Sequence, residues 1–234
     1  GKEFLPRGID GAERLGVKFM NKQAVSIDYE DGGFSVVTSD DKKHGCKAVL
    51  LATGSRRLAP SIEGLTEFEG KGVSYCAVCD AFFYRNKNVG VLGSGEYALH
   101  EAKILAKTSK SVTVFTNGEE PTAVFPSEFT IVKEPLSSLT GEAKIEKAVL
   151  RDGTEVKIDG LFVAYGVASS AALAQKAGAV TIGGKIRVND SMMTNVNGLF
   201  AAGDCTGGLL QVSKAVGDGA AAGMAIIKYV KRDK

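Results

Sequence analysis

The sequence predicts an α/β protein in which buried strands run into glycine turns ahead of helices. Three segments carry that prediction: Leu50-Leu51-Ala52-Thr53-Gly54, Leu161-Phe162-Val163-Ala164-Tyr165-Gly166 and Leu199-Phe200-Ala201-Ala202-Gly203-Asp204 all pass from an apolar run into glycine. Two related nucleotide-binding layers explain the recurrence; the competing explanation is that any buried parallel strand ending in a turn looks this way. At 234 residues and 44% hydrophobic content, the chain can bury one large core or two small ones.

In chain order, apolar residues alternate over 24–29 and 34–38 around Asp31-Gly32-Gly33, the pattern of a β-hairpin, and 48–52 reads as a buried strand ending at Thr53-Gly54. A second unit begins near Gly70. Its short strand over 89–92, turn Gly93-Ser94-Gly95, helix over 97–106 and strand over 112–115 make a βαβ unit. Residues 147–150 and 156–158 flank Arg151-Asp152-Gly153-Thr154 as another hairpin before the buried strand 161–164. The last strand, 199–202, turns at Gly203-Asp204 and leads to an Ala/Gly-rich helix over 211–230.

Charges nearly cancel, at a formal net +2, and no Lys/Arg run precedes the tail 228–234, which argues against a nucleic-acid partner. The longest apolar stretches, 160–164 and 220–227, are too short or too glycine-rich to span a bilayer, and the N-terminus has no secretory pattern. The chain reads as soluble and intracellular, hence cytoplasmic. Four cysteines are too few for a secreted disulfide scaffold, and only Cys76 and Cys79 lie close together.

Cys76-Ala77-Val78-Cys79 has the spacing that lets two thiols close a small ring on one turn, with one sulfur more exposed than the other. If the pair starts a helix, the helix dipole favours the attacking thiolate. Asp80 follows at once, placed to give or take a proton during thiol exchange. A zinc half-site and an inert buried pair compete with this reading. A structural zinc site needs four ligands, whereas His44, His100, Cys46 and Cys205 are scattered singly, so no metal is expected.

Gly93-Ser94-Gly95-Glu96-Tyr97-Ala98 fits the G-x-G-x-x-G/A pattern between a strand and a helix, which makes Gly93, Gly95 and Ala98 candidates for approach to a pyrophosphate. The next strand ends Phe115-Thr116-Asn117-Gly118, with neither an acid for a ribose diol nor an arginine cluster for a 2′-phosphate, so a turn kept for packing alone stays open. Asp204, at a strand end before a helix rich in small residues, can accept hydrogen bonds from sugar hydroxyls of a cofactor. Gly217, Gly219 and Gly223 each weaken that helix by about 1 kcal/mol relative to alanine, and either close packing or a ligand would account for them.

In their order along the chain, Leu51-Ala52-Thr53-Gly54, the run Gly72-Val73-Ser74-Tyr75-Cys76-Ala77-Val78-Cys79-Asp80-Ala81-Phe82-Phe83-Tyr84, Gly93-Ser94-Gly95, Gly198-Leu199-Phe200-Ala201-Ala202-Gly203-Asp204 and Gln211-Val212 resemble the low-molecular-weight thioredoxin reductase family over essentially the whole chain. The resemblance implies two Rossmann-like three-layer nucleotide-binding domains. One is an FAD domain made of residues 1–68 and 185–234, and the other a central NAD(P)H-like domain, 69–184, carrying the dithiol. It also implies a homodimer, domain rotation, and electron flow from FAD through the dithiol to thioredoxin or a similar redox protein. By this likeness Cys79 faces the flavin, Cys76 attacks the partner's disulfide, and Asp80 is the acid/base. Gly203, Asp204, Gln211 and Val212 contact FAD, with Thr53 and Gly54 nearby.

Three departures separate the chain from that family. Residues before Ala24 show no buried strand with a glycine-rich turn, so the chain reads as N-terminally truncated and its FAD domain as incomplete. Leu210 stands where the family has an arginine. The basic motif after the second central strand is replaced by Thr116-Asn117-Gly118-Glu119-Glu120, whose acids repel a 2′-phosphate. That argues against NADPH, and the central domain resembles ferredoxin-linked flavin thioredoxin reductases. Two other functions remain in view: the flavoprotein of a peroxide-reducing redoxin system, and a non-catalytic nucleotide-binding module.

Overall fold

The chain folds, in a computed structural model that describes residues 3–30, 32–54, 60–166 and 168–232, around the apolar strands its sequence marks out. Helix α1 (Phe4–Arg14) comes first, with none of its residues buried. Strands β1 (Ala24–Glu30) and β2 (Gly33–Thr38) form the expected antiparallel hairpin, Tyr29 opposite Phe34. Asp31 of its turn lies outside the described residues. A third strand, β3 (Lys43–Cys46), extends this sheet. Its Lys-His-Gly-Cys sequence has no buried residue and no apolar alternation by which it could be foreseen.

Strand β4 (Val49–Leu51) follows, then β5 (Val73–Ser74), the one-turn helix α2 (Ala77–Asp80) and a 3₁₀ turn over Ala81–Tyr84. The predicted βαβ unit forms as β6 (Asn88–Leu92), α3 (Glu96–Ala106) and β7 (Ser111–Phe115), and β8 (Thr130–Val132) continues it. A meander comes next, of β9 (Leu136–Thr140), β10 (Lys147–Leu150) and β11 (Glu155–Lys157), leading into β12 (Gly160–Val163). The rest comprises α4 (Ser170–Lys176), the small hairpin of β13 (Thr181–Ile182) and β14 (Lys185–Ile186), β15 (Leu199–Ala201), a 3₁₀ turn over Gly203–Thr206 and α5 (Val212–Arg232).

The central layer is a five-stranded parallel sheet in the order β5-β12-β6-β7-β8. Parallel strands covered on both faces need apolar residues throughout, and Val89, Val91 and Leu92 of β6 are fully buried. Gly90 is required there, because a Cβ would lie 2.7 Å from the Phe115 ring and 2.8 Å from Leu161. Helix α3 covers one face through Ala98, Ala102 and Leu105, spaced by four and three residues and all fully buried. This core runs on through Leu173 and Ala174 of α4 to Ile27, Phe34 and Leu199. A second cluster fills the space towards the meander, where Ile62, Leu65 and Phe68 meet Leu136, Leu139 and Leu150. Two of the three look-alike strands, β4 and β15, pair with each other in parallel, Leu199 beside Val49.

Candidate functional site

Strand β5 delivers the chain to the dithiol. Cys76 is the N-cap of α2, and its sulfur accepts the Cys79 N–H at 3.2 Å. The two cysteines are joined in a disulfide, their Cα atoms 5.3 Å apart. Their surroundings differ: Cys76 is only 4% exposed, whereas Cys79 is open to solvent. Ser74 organises the turn, accepting the Cys76 N–H at 3.1 Å and donating its hydroxyl proton to Asp80 Oδ2 at 2.7 Å. One hydroxyl has the proton and lone pairs for both bonds. Cys76, Cys79 and Asp80 thereby share one cavity of about 560 Å³, which Ser74, Tyr75 and Gln175 also line. Burial and the nearby Asp80 and Asp159 charges push the Tyr84 phenol above its usual range.

Helix α4 links this cavity to the strand ends. Ser169 caps it by accepting the Ala172 N–H at 3.1 Å. Ser170 donates to the Gly54 carbonyl at 2.7 Å and shares a hydrogen bond with the Thr53 hydroxyl. Five residues on, Gln175 faces the dithiol. At a helix rise of about 1.5 Å per residue, roughly 7.5 Å of α4 separates the two contacts.

A second cavity, of about 400 Å³, lies among Gly54, Gly203, Asp204, Gln211, Val212 and Gly219. It gathers most of the residues expected to hold a cofactor, with Thr53 beside it through Ser170. Gly54 and Gly203 have φ of +74° and +81°, the left-handed region that favours glycine. The Gly203 N–H is held by Asp218 at 3.0 Å, and hydrogen bonding from Lys214 lowers the Asp218 carboxyl below its usual range. Lys185 donates to the Asp204 backbone carbonyl at 3.1 Å. The Asp204 carboxylate, half-buried at the cavity, has no hydrogen-bond partner among the described residues. A Cβ on Gly54 or Gly219 would meet nothing within 4 Å. This free acceptor beside open glycine backbone fits a ligand rich in hydroxyl groups. Gly217 and Gly223 are equally uncrowded, so close packing does not account for the glycines of α5.

The turn Gly93-Ser94-Gly95 borders neither of these cavities. A Cβ on Gly93 would come within 2.3 Å of the Ala164 carbonyl oxygen and 2.9 Å of the Ala98 methyl. Ser94 donates to Glu119 Oε2 at 2.6 Å, and the Tyr165 hydroxyl donates to the other carboxylate oxygen. That bond pushes the Tyr165 phenol up to about 12. The Thr122 N–H closes the turn from above, reaching the Ser94 carbonyl at 2.8 Å.

Sequence reasoning missed Ser74, Ser170 and the ion pair between Glu101 and Lys176. Ser74 sits six residues from its carboxylate partner, Ser170 sits 116 from Gly54, and Lys176 sits 75 from Glu101. Separations of that kind leave no periodic trace. Only the Ser169 cap of α4 carried a local signal.

Comparison with known proteins gives a consistent set of matches. Residues 9–219 match the family model for pyridine nucleotide-disulphide oxidoreductases. A thioredoxin reductase of Peptoclostridium acidaminophilum is 32% identical, covering 99% of this chain and 80% of the relative. One from Helicobacter pylori is 31% identical, over 99% and 81%. Among solved structures, the atypical thioredoxin reductase TRi of Desulfovibrio vulgaris Hildenborough superposes with a TM-score of 0.93 at 36% identity, covering 99% of this chain and 81% of that one. A ferredoxin-flavin thioredoxin reductase of Clostridium acetobutylicum superposes with a TM-score of 0.66 at 31% identity, over 97% and 77%.

Proposed function

The chain belongs to the pyridine nucleotide-disulphide oxidoreductase family, and from that membership we propose that it is a thioredoxin-reductase-type flavoprotein, passing electrons through FAD and the Cys76–Cys79 dithiol to a thioredoxin-like protein disulfide. The observation that carries the reading is a closed Cys76–Cys79 disulfide beside Asp80, one short helix away from a cavity lined by the Asp204 carboxylate, which has no hydrogen-bond partner among the described residues.

In this proposal Asp204 accepts hydrogen bonds from the sugar-type hydroxyls of FAD. Gly54 and Gly203 let backbone approach it, and Thr53, Gln211 and Val212 complete the contacts. Bound there and reduced by the electron donor, FAD would supply the two electrons that open the Cys76–Cys79 bond. Cys79, the exposed sulfur, would be the one to take electrons from the flavin. Asp80, oriented by Ser74, donates a proton to the sulfur released when the disulfide opens and recovers it when the disulfide re-forms. Cys76 attacks the partner's disulfide, so it must be uncovered from the buried position it occupies here. The dithiol unit is taken as residues 69–184 and the flavin unit as 1–68 with 185–234, in a cytoplasmic homodimer. No described helix is long and apolar enough to cross a membrane.

We further propose that the donor is ferredoxin and not NADPH. The Glu119 carboxylate takes up the Ser94 hydroxyl at the turn where a dinucleotide phosphate would approach, and it places negative charge there. Gly93, Gly95 and Ala98 then serve packing in this chain. Stopped-flow reduction of the flavin-loaded protein tests the donor: reduced ferredoxin should bleach the flavin quickly and NADPH slowly. Rapid bleaching by NADPH would refute the ferredoxin reading. Failure of the reduced dithiol to reduce any thioredoxin-like disulfide would refute the function itself.

A further inference from the structure

Beneath the dithiol lies an ion pair from which water is excluded. Glu101 of α3 is 1% exposed and the Lys176 side chain 0%, so what is exposed of Lys176 is backbone. Glu101 Oε1 accepts from Lys176 Nζ at 2.5 Å, and its Oε2 accepts the N–H of Ala77, the residue after Cys76, at 2.8 Å. Lys176 also donates to the Val25 carbonyl of β1 at 3.0 Å and lies 5.1 Å from the centre of the Tyr97 ring. One polar chain thus runs from the backbone of the dithiol helix, through two buried charges, to the hairpin sheet.

Lys176 ends α4, and its neighbours Gln175, Gly178 and Ala179 line the dithiol cavity around the buried Cys76. The geometry points to Glu101 and Lys176 as a latch whose matched charges let α4 stay closed over Cys76: a lone buried charge opens it, and the pair must part for that sulfur to be reached by a protein partner. The role rests on the proposed assignment of Cys76 as the partner-facing sulfur. Neither residue touches the reacting atoms; both act by positioning α2 against α4. The charges influence their surroundings: burial and Glu101 raise the Tyr97 phenol well above its usual range, and burial together with Lys176 lowers His100. A buried pair suits a latch, because removing one member leaves the other charge without a partner in a dry site, whereas replacing both leaves no charge to destabilise the closed form.

The test is competitive alkylation by iodoacetamide of the reduced full-length protein, read by peptide mass at Cys76 and Cys79. In the wild type Cys79 should react first and Cys76 slowly. Glu101→Gln and Lys176→Met should each raise the Cys76 rate tenfold or more, and the double variant should return it to within about threefold of wild type. Single variants within twofold of wild type would overturn the latch, as would a double variant as open as the singles. If a single variant does not fold, the wild type decides. Acetylation of Lys176 and alkylation of Cys76 must then show the same protection relative to denatured protein, and a difference beyond tenfold overturns the latch. Labelling needs neither flavin nor partner, so a dithiol that fails to re-form its disulfide refutes the function and leaves the latch result standing.

Discussion

Removing one hydroxyl, in Ser74→Ala, should weaken both the fold and the chemistry of the dithiol turn. In the structure Ser74 Oγ is the acceptor for the Cys76 N–H, and Cys76 is only 4% exposed. A buried N–H left without an acceptor costs about 1–3 kcal/mol. The bond to Asp80 adds less, because that carboxylate is half-buried and can turn to water. Alanine fills most of the serine volume, so no cavity term is needed, and the net loss is about 2 kcal/mol. For a chain of this length that is a fall in Tm of about 4–8 °C. Asp80 would also lose the donor that orients it. The catalytic loss should be about tenfold, the worth of one orienting hydrogen bond near 1.4 kcal/mol, against about 10²–10⁴-fold for Asp80→Asn, which removes the acid/base itself. The assay is single-turnover transfer from pre-reduced enzyme to oxidised thioredoxin, run beside a thermal melt. If Ser74 acts through Asp80, adding Ser74→Ala to Asp80→Asn should slow the reaction little further. A Ser74→Ala enzyme with wild-type rate and Tm would refute the reasoning, and so would rate losses that multiply in the double variant.

Three further outcomes are expected. Cys79→Ser in flavin-loaded protein should block transfer from flavin to the dithiol, while Cys76→Ser should keep flavin contact but release no electrons to the partner; equal residual activity in the two variants and wild type, followed by flavin absorbance, refutes the assignment. Asp204→Ala should weaken FAD binding by about 10–150-fold, the loss of about 1.5–3 kcal/mol of hydrogen bonding to a charged group. The melt of the flavin-free protein should barely move, since that carboxylate has no hydrogen-bond partner among the described residues, and fluorescence titration with FAD reads the binding. His100 is lowered from 6.5 to about 4, first by burial and then by Lys176. Between those values the unfolded chain binds a proton that the folded chain refuses, so its contribution to stability is full above pH 6.5 and is lost as pH falls towards 4. The shift alone is worth about 3 kcal/mol, and about 2 kcal/mol after discount for a partly exposed ring. His100→Gln should flatten that slope in urea melts; an unchanged slope counts against it.

Much of the central layer is legible in the sequence because its signals are local. Val89, Val91 and Leu92 form a continuous apolar run before Gly93, and Ala98, Ala102 and Leu105 repeat at helical spacing, so β6 and α3 fall within a residue or so of where the pattern puts them. Strand β3 and helices α1 and α4 escape for the opposite reason. Strand β3 buries nothing and α4 is too short for a period to show, while in α1 the helix-weakening Pro6, Gly8 and Gly11 mask the helical signal. The spacing of Cys76 and Cys79 likewise suffices for a disulfide, since two residues between thiols bring them within reach on one turn.

Which sulfur is covered is another matter. Cys76 and Cys79 are equivalent as letters, and only the folded structure, which sets their turn among Ser74, α3 and α4, leaves Cys76 buried and Cys79 open. The tertiary structure likewise decides that Ser74 orients Asp80, that Glu119 takes up the glycine turn, and that Glu101 meets Lys176 from 75 residues away. Strand and turn positions come from interactions within a few residues, which a linear chain records in its periodicity. Contacts between distant residues are set by how whole layers stack, and a single sequence carries no mark of them.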